Sequence, residues 1–294
     1  MKKLIILTLV FFSVMGVFGQ GKAGISGSVE WDTLRINAAV SLNLAQAGLK
    51  LPAGRTQGEA LLSSNYLRLI EPCLLGLQVD SSATIEDLVN SGELNLEQIE
   101  TISRRANTSS PALSPDMKNI TTSVIIPISN ISAALLNHKR ASPVLKTLIP
   151  ISTARYTGII IIALDQLPVH GMNSAAMPVP CLFPKVWDSE MNLIYDRNML
   201  EPQFEGTMVR YSAAQNIFQK NPSGLSDELQ KVAGDRPLRI FAQGVFGIKP
   251  TDLIIEKSDA QLIISSEENR RLLSQGKVVF ILDESALRYT FSGE

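Results

Sequence analysis

Four consecutive isoleucines, Ile159 to Ile162, constrain the fold of this chain more than any other feature. Side chains branched at Cβ with no polar face between them suit a strand buried on both sides, and the run is too short to cross a membrane as a helix. The run opens a longer stretch, Tyr156 to Asn198. This stretch closes with Phe183-Pro184-Lys185-Val186-Trp187, a polar break from Asp188 to Asn192, and Leu193-Ile194-Tyr195. Two short runs of aromatic and β-branched residues around a polar turn are a hairpin signature.

Upstream, a small-residue leader from Gly21 to Gly27 precedes Leu34 to Leu44, where every second residue is apolar. That alternation predicts a half-buried strand. Ala60, Leu61, Leu67, Ile70, Leu74 and Leu75 recur at helical spacing and predict a helix from Thr56 to about Leu75, with a kink or end near Glu71 imposed by Pro72. A short strand from Gly76 to Asp80, short helices over 82–90 and 95–103 and a loop over 107–115 follow. Thr122 to Ile128 reads as a strand that Pro127 confines to a sheet edge or a strand end. Downstream of the hairpin, short strands are expected near 208–212, 238–242, 253–255 and 277–282. A helix from Asp259 to Ser274 is expected to be capped by Ser258 and stopped by Gly276. The pattern is α+β, with two mixed sheet and helix domains, 21–155 and 156–294, each with a long helix packed on a short-stranded sheet.

The first twenty residues carry Lys2-Lys3, an apolar run from Leu4 to Val17 and the small-residue exit Val17-Phe18-Gly19. Such a segment predicts a cleaved secretory signal peptide and no membrane span afterwards. It contains no cysteine for a lipid anchor, so the expected location is the periplasm, without lipidation. Cleavage leaves 27 less two basic side chains against 28 acidic ones, a net charge of −3. That balance provides no basic field for nucleic acid. Export permits a disulfide between the two cysteines, Cys73 and Cys181. Their apolar neighbours equally suit two buried thiols.

Constellations that carry chemistry are sparse. The two histidines, His138 and His170, have no metal-ligand spacing. Gly24-Ile25-Ser26-Gly27 lacks the full spacing of a nucleophile elbow, and Gly244-Val245-Phe246-Gly247 lacks that of a phosphate loop. Asp165, Asp188 and Asp196 flank the central stretch, where aspartate commonly caps turns. No catalytic, metal or cofactor site is expected.

The order of motifs from Tyr156 to Asp283 resembles a pattern in bacterial secreted proteins. Its parts are Tyr156-Thr157-Gly158-Ile159-Ile160-Ile161, then Phe183 to Asp188 with Leu193-Ile194-Tyr195, then Arg236-Pro237-Leu238-Arg239-Ile240, Asp259-Ala260 and Gly276-Lys277-Val278-Val279. Val79-Asp80-Ser81-Ser82 in the first half is similar to a domain repeated across the same group. The group is the envelope lipoprotein family that includes flagellar outer-membrane lipoproteins and flagellar assembly proteins. This chain departs from it in lacking a lipidated cysteine and in placing Asp196 after Tyr195. The resemblance implies a scaffold or assembly role at the envelope, with other envelope proteins or the chain itself as partner and no established catalytic residue. Trp187 and Tyr195, facing one another across the hairpin, are either a packed aromatic pair or an exposed partner surface. The alternatives are an exported hydrolase using Asp165, Asp188 or His170, and a carrier of a small ligand between the domains.

Overall fold

The computed structural model describes residues 23–136, 138–202 and 204–293, so the expected signal peptide lies outside the described residues. The first lobe contains β1 (Ala23–Glu30), β2 (Arg35–Asn43), α1 (Ala53–Leu75), α2 (Ile85–Asn90), α3 (Leu96–Arg104), β3 (Asn107–Thr108), β4 (Ala112–Leu113), β5 (Asn119–Pro127) and α4 (Ile128–Leu135). The second lobe begins with β6 (Ile159–Ala163), β7 (Leu167–Pro168), β8 (Ala175–Ala176), β9 (Val186–Asp188), β10 (Leu193–Tyr195) and β11 (Arg210–Ser212). It continues through α5 (Asp227–Ala233), β12 (Leu238–Phe246), β13 (Asp252–Ile255), α6 (Lys257–Ile264), α7 (Glu267–Ser274) and β14 (Val278–Leu282). The last elements are α8 (Glu284–Leu287) and β15 (Arg288–Gly293). The architecture is α+β in two domains.

The first sheet is antiparallel, in the order β15-β1-β2-β5-β3, with β4 also on β5. The alternation read from the sequence appears in β2, where Ile36, Ala38, Val40 and Leu42 are buried. From Ala23 onward, the leader expected over 21–27 is instead part of a strand, β1. Glycine and serine hide it from a hydrophobicity pattern, but Gly27 is required there. A Cβ at Gly27 would lie 2.2 Å from the Asn37 carbonyl oxygen and 2.6 Å from the Phe291 ring. Helix α1 covers the buried face through Leu62, Ile70 and Leu74, and Gly58 lets it close onto Ile120 and Leu44. The helix passes Pro72 and ends at Leu75, because proline in the final turn removes one backbone bond where few remain to be made. The strand expected over 76–80 is reduced to one bridge, Gln78 to Thr84, and the loop expected over 107–115 contributes β3 and β4. Pro127 does end its strand.

The second sheet is mixed, in the order β10-β9-β13-β12-β6-β14-β11. β6 lies between β12 and β14 and runs parallel to both. Ile160 and Ile162 join Val279 and Ile281 beneath Leu225, Leu229 and Ala233, so one face is closed by α5 and the turn before it. Ile159 and Ile161 belong to a second cluster that runs without a break into the first lobe. Every residue of β6 is buried, as the isoleucine run requires. The long helix expected over 259–274 is two helices, divided at Ser265 and Ser266. Ser266 caps α7 by accepting from the Asn269 backbone N–H, and serine at that position competes with helix continuation. Gly276 follows α7 at φ +62°, in the left-handed region glycine favours.

The strands of the first sheet up to β5 end at Pro127, and those of the second run from Ile159 to Leu282. Beyond that, β15 crosses back and pairs along its length with β1, from Arg288 opposite Glu30 to Gly293 opposite Ile25. The last strand of the chain therefore completes the sheet of the first lobe.

Candidate functional site at the lobe junction

The hairpin of the central stretch forms as β9 and β10, but the side chains it was expected to oppose are not opposite one another. Leu193 faces Trp187 and Tyr195 faces Val186, with a register shift between them. Tyr195 is fully buried and donates its hydroxyl to the Met208 carbonyl oxygen at 2.9 Å. Burial holds its phenol far above the ordinary range. Tyr195 is therefore part of the core and not of a partner surface. Trp187 is half-buried, stands edge-on to Phe246 at 5.8 Å and donates Nε1–H to Asp252 Oδ2 at 3.3 Å.

Asp252 organises the junction. Its carboxylate has no solvent exposure and accepts from the Ser81 hydroxyl at 3.1 Å, the Lys185 backbone N–H at 3.2 Å and the Thr251 hydroxyl at 3.1 Å, besides Trp187. Burial outweighs those donors and raises its pKa. Ser81 comes from the first lobe, so this carboxylate links the two. Backbone bonds from Leu182 to Gln78, from Phe183 to Val79 and from Lys249 to Ser81 run beside it. Next to it, Tyr211 donates its hydroxyl to the Cys181 carbonyl at 2.9 Å and accepts from the Cys181 N–H at 3.1 Å. The same ring meets Trp31 of the first lobe edge-on at 5.6 Å.

Cys181 is buried and Cys73 partly buried, and both are free thiols, so the disulfide permitted by the sequence is not formed. Burial pushes the Cys73 thiol up to about 12 and Cys181 higher still, which favours the protonated thiol at both positions.

Two of the three aspartates that flank the central stretch serve local structure. Asp188 accepts from the N–H groups of Glu190 at 2.9 Å and Asn192 at 2.8 Å and from the Asn192 side chain at 2.8 Å, closing the hairpin turn. Asp196 caps the following turn through the Asn198 N–H at 2.8 Å. Asp165 is exposed on the loop after β6. His138 shares a hydrogen bond of 2.7 Å with the Leu200 carbonyl. His170 is exposed and stands edge-on to Phe246 at 6.0 Å. The structure thus places His170, Phe246 and Trp187 in one aromatic row, a neighbourhood the sequence did not reveal.

Among the described residues no group of three His, Cys, Asp or Glu side chains could hold a metal ion. Cavities of about 180 Å³, beside His138 and Arg197, and about 170 Å³, between the 145–147 segment, Asn192 and Lys257, fall below the volume that usual small-ligand sites need. Among the described residues no helix is long and apolar enough to cross a membrane.

Ser81, Phe246, Tyr211 and Asp252 were not singled out as site residues by sequence reasoning. Asp252 opens an apolar strand and has no spacing relation to Ser81, so only the tertiary fold could have revealed the pair.

Two family matches follow one another along the chain. Residues 22–134 match the N-terminal domain of Treponema pallidum Tp0624, and residues 158–284 match the second domain of the same protein. No curated protein matches the chain. The interval between the matches corresponds to the irregular segment that joins the lobes, and β15 lies beyond the second. By these matches, the chain is built from an N-terminal and a second domain of the Treponema pallidum Tp0624 type.

Proposed function

We propose that this is an exported, non-enzymatic protein of the periplasm with a structural or assembly role in the cell envelope, acting through contacts with other envelope proteins or with itself. The observation that carries the reading is the commitment of the junction's polar side chains to structure. Asp252 spends its acceptor capacity on four donors drawn from both lobes. Asp188 and Asp196 close turns. Side chains saturated in this way hold a shape and are poorly placed to move protons. An association with the flagellar motor, implied by the sequence resemblance, is the narrowest form of the proposal.

Fractionation of the native cell combined with proximity labelling tests it. The reading expects processed protein in the periplasmic fraction and labelling of envelope components. Protein retained in the cytoplasm contradicts it. So does a hydrolytic activity of the purified protein that Asp188→Asn abolishes.

A further inference from the structure

The described residues of the two large sheets end in four edges, and three of them are blunted. β10 and β11 have three residues each. The edge formed by β3 and β4 is broken into two pieces of two residues, with Pro111 between them. The fourth edge, β15, is six residues long and in unbroken register with β1. Its sequence Arg-Tyr-Thr-Phe-Ser-Gly has no proline, lysine or bulge, the devices that usually guard an edge. Five of its six residues are exposed, including Tyr289 at 43%.

The side chains on this strand are sorted by face. Arg288, Thr290 and Ser292 lie opposite Glu30, Ser28 and Ser26, on the face away from α1. Tyr289 and Phe291 lie opposite Val29 and Gly27, on the face that carries α1.

We propose that β15 is a pairing edge for a second copy of this chain, joined antiparallel about a two-fold axis through Thr290. A two-fold normal to the sheet keeps each face on its own side, so residues of equal parity oppose one another. Centred on Thr290, Tyr289 faces Phe291 of the partner subunit, Arg288 faces the partner subunit's Ser292, and Thr290 faces its own counterpart. Aromatic and threonine pairs of this kind favour pairing, and no like charges are opposed. Arg288 is already held by Asp32 at 2.6 Å, which keeps its charge satisfied at the edge. Centring on Phe291 instead would set Tyr289 against glycine and leave one aromatic pair, Phe291 against its own counterpart, where the Thr290 register makes two. The self-complementarity of one register is what selects a second copy over an unrelated strand. This contact does not depend on export, and failure of the envelope reading would leave it standing.

Sedimentation of the purified protein across a concentration series tests the pairing, beside Thr290→Lys and oxidative cross-linking of Thr290→Cys. Thr290 is exposed, so neither change disturbs the monomer fold. The proposal expects a monomer–dimer equilibrium, weakened about fivefold or more by Thr290→Lys, which sets like charges against each other at the axis. It also expects Thr290→Cys to cross-link into dimers well beyond Ser123→Cys, an exposed position on the same face away from the edge. A monomer at every concentration overturns the proposal. So does a dimer indifferent to Thr290→Lys, or cross-linking no greater at residue 290 than at 123.

Discussion

Asp252 concentrates the energetics of the junction in one side chain. Replacing it with alanine leaves the Trp187 Nε1–H, the Lys185 N–H and the Ser81 hydroxyl without their acceptor in a buried place. Unsatisfied buried donors cost about 1–3 kcal/mol each before relaxation. Asp252→Ala is therefore expected to lower unfolding free energy by about 3 kcal/mol or more, measured by urea denaturation. Its titration has a definite sign. Burial raises the folded pKa above the ordinary aspartate value, so the folded state holds the proton more tightly. The contribution is fully present below about pH 3.9 and is lost as pH rises towards the raised folded value. Stability of the wild type relative to Asp252→Asn should fall through that window and level off above it. Tyr195→Phe removes the donor to the Met208 carbonyl and is expected to cost about 1 kcal/mol, with no change in any surface contact. A loss of partner binding without loss of stability would return Tyr195 to the surface role the sequence suggested.

At the scale of elements, strength of pattern decided what the sequence revealed. β2 was legible because every second side chain enters the core, and β6 because all of its residues do. β1 was not, since its glycine is selected by close approach to Asn37 and Phe291 and not by apolar periodicity. The hairpin was legible as a hairpin. Its pairing was not, because the shift between Leu193 and Tyr195 depends on backbone geometry that composition does not encode. The break between α6 and α7 was hidden because Ser265 and Ser266 read equally well as the polar face of one helix. Ile161 sits in an interior strand of its sheet, between β12 and β14, with 1% exposure. Ile161→Ala is expected to cost about 2–5 kcal/mol in thermal or denaturant unfolding, the range for a large cavity-forming change in a packed core.

At the scale of the molecule, the strand β15, the Ser81–Asp252 bond and the Trp31–Tyr211 contact are among the features that bind the lobes together. None of them was legible in the sequence, because each joins residues far apart in the chain. The candidate junction site was for the same reason visible only in fragments, as Trp187 and His170 without the Phe246 that connects them. Truncation before Arg288 should expose β1 as a new edge, and amide exchange in β1 should then rise much more than in β12. The chain's two tryptophans provide a more direct test, since Trp31 reports on the first lobe and Trp187 on the second. Denaturant unfolding followed by fluorescence in Trp31→Phe and in Trp187→Phe would monitor one lobe at a time, with circular dichroism of each variant correcting for its own change in stability. Lobes locked into one cooperative body predict that the fluorescence and circular-dichroism transitions of each variant coincide. Separate transitions, with one lobe melting while the other stays folded, would contradict that account.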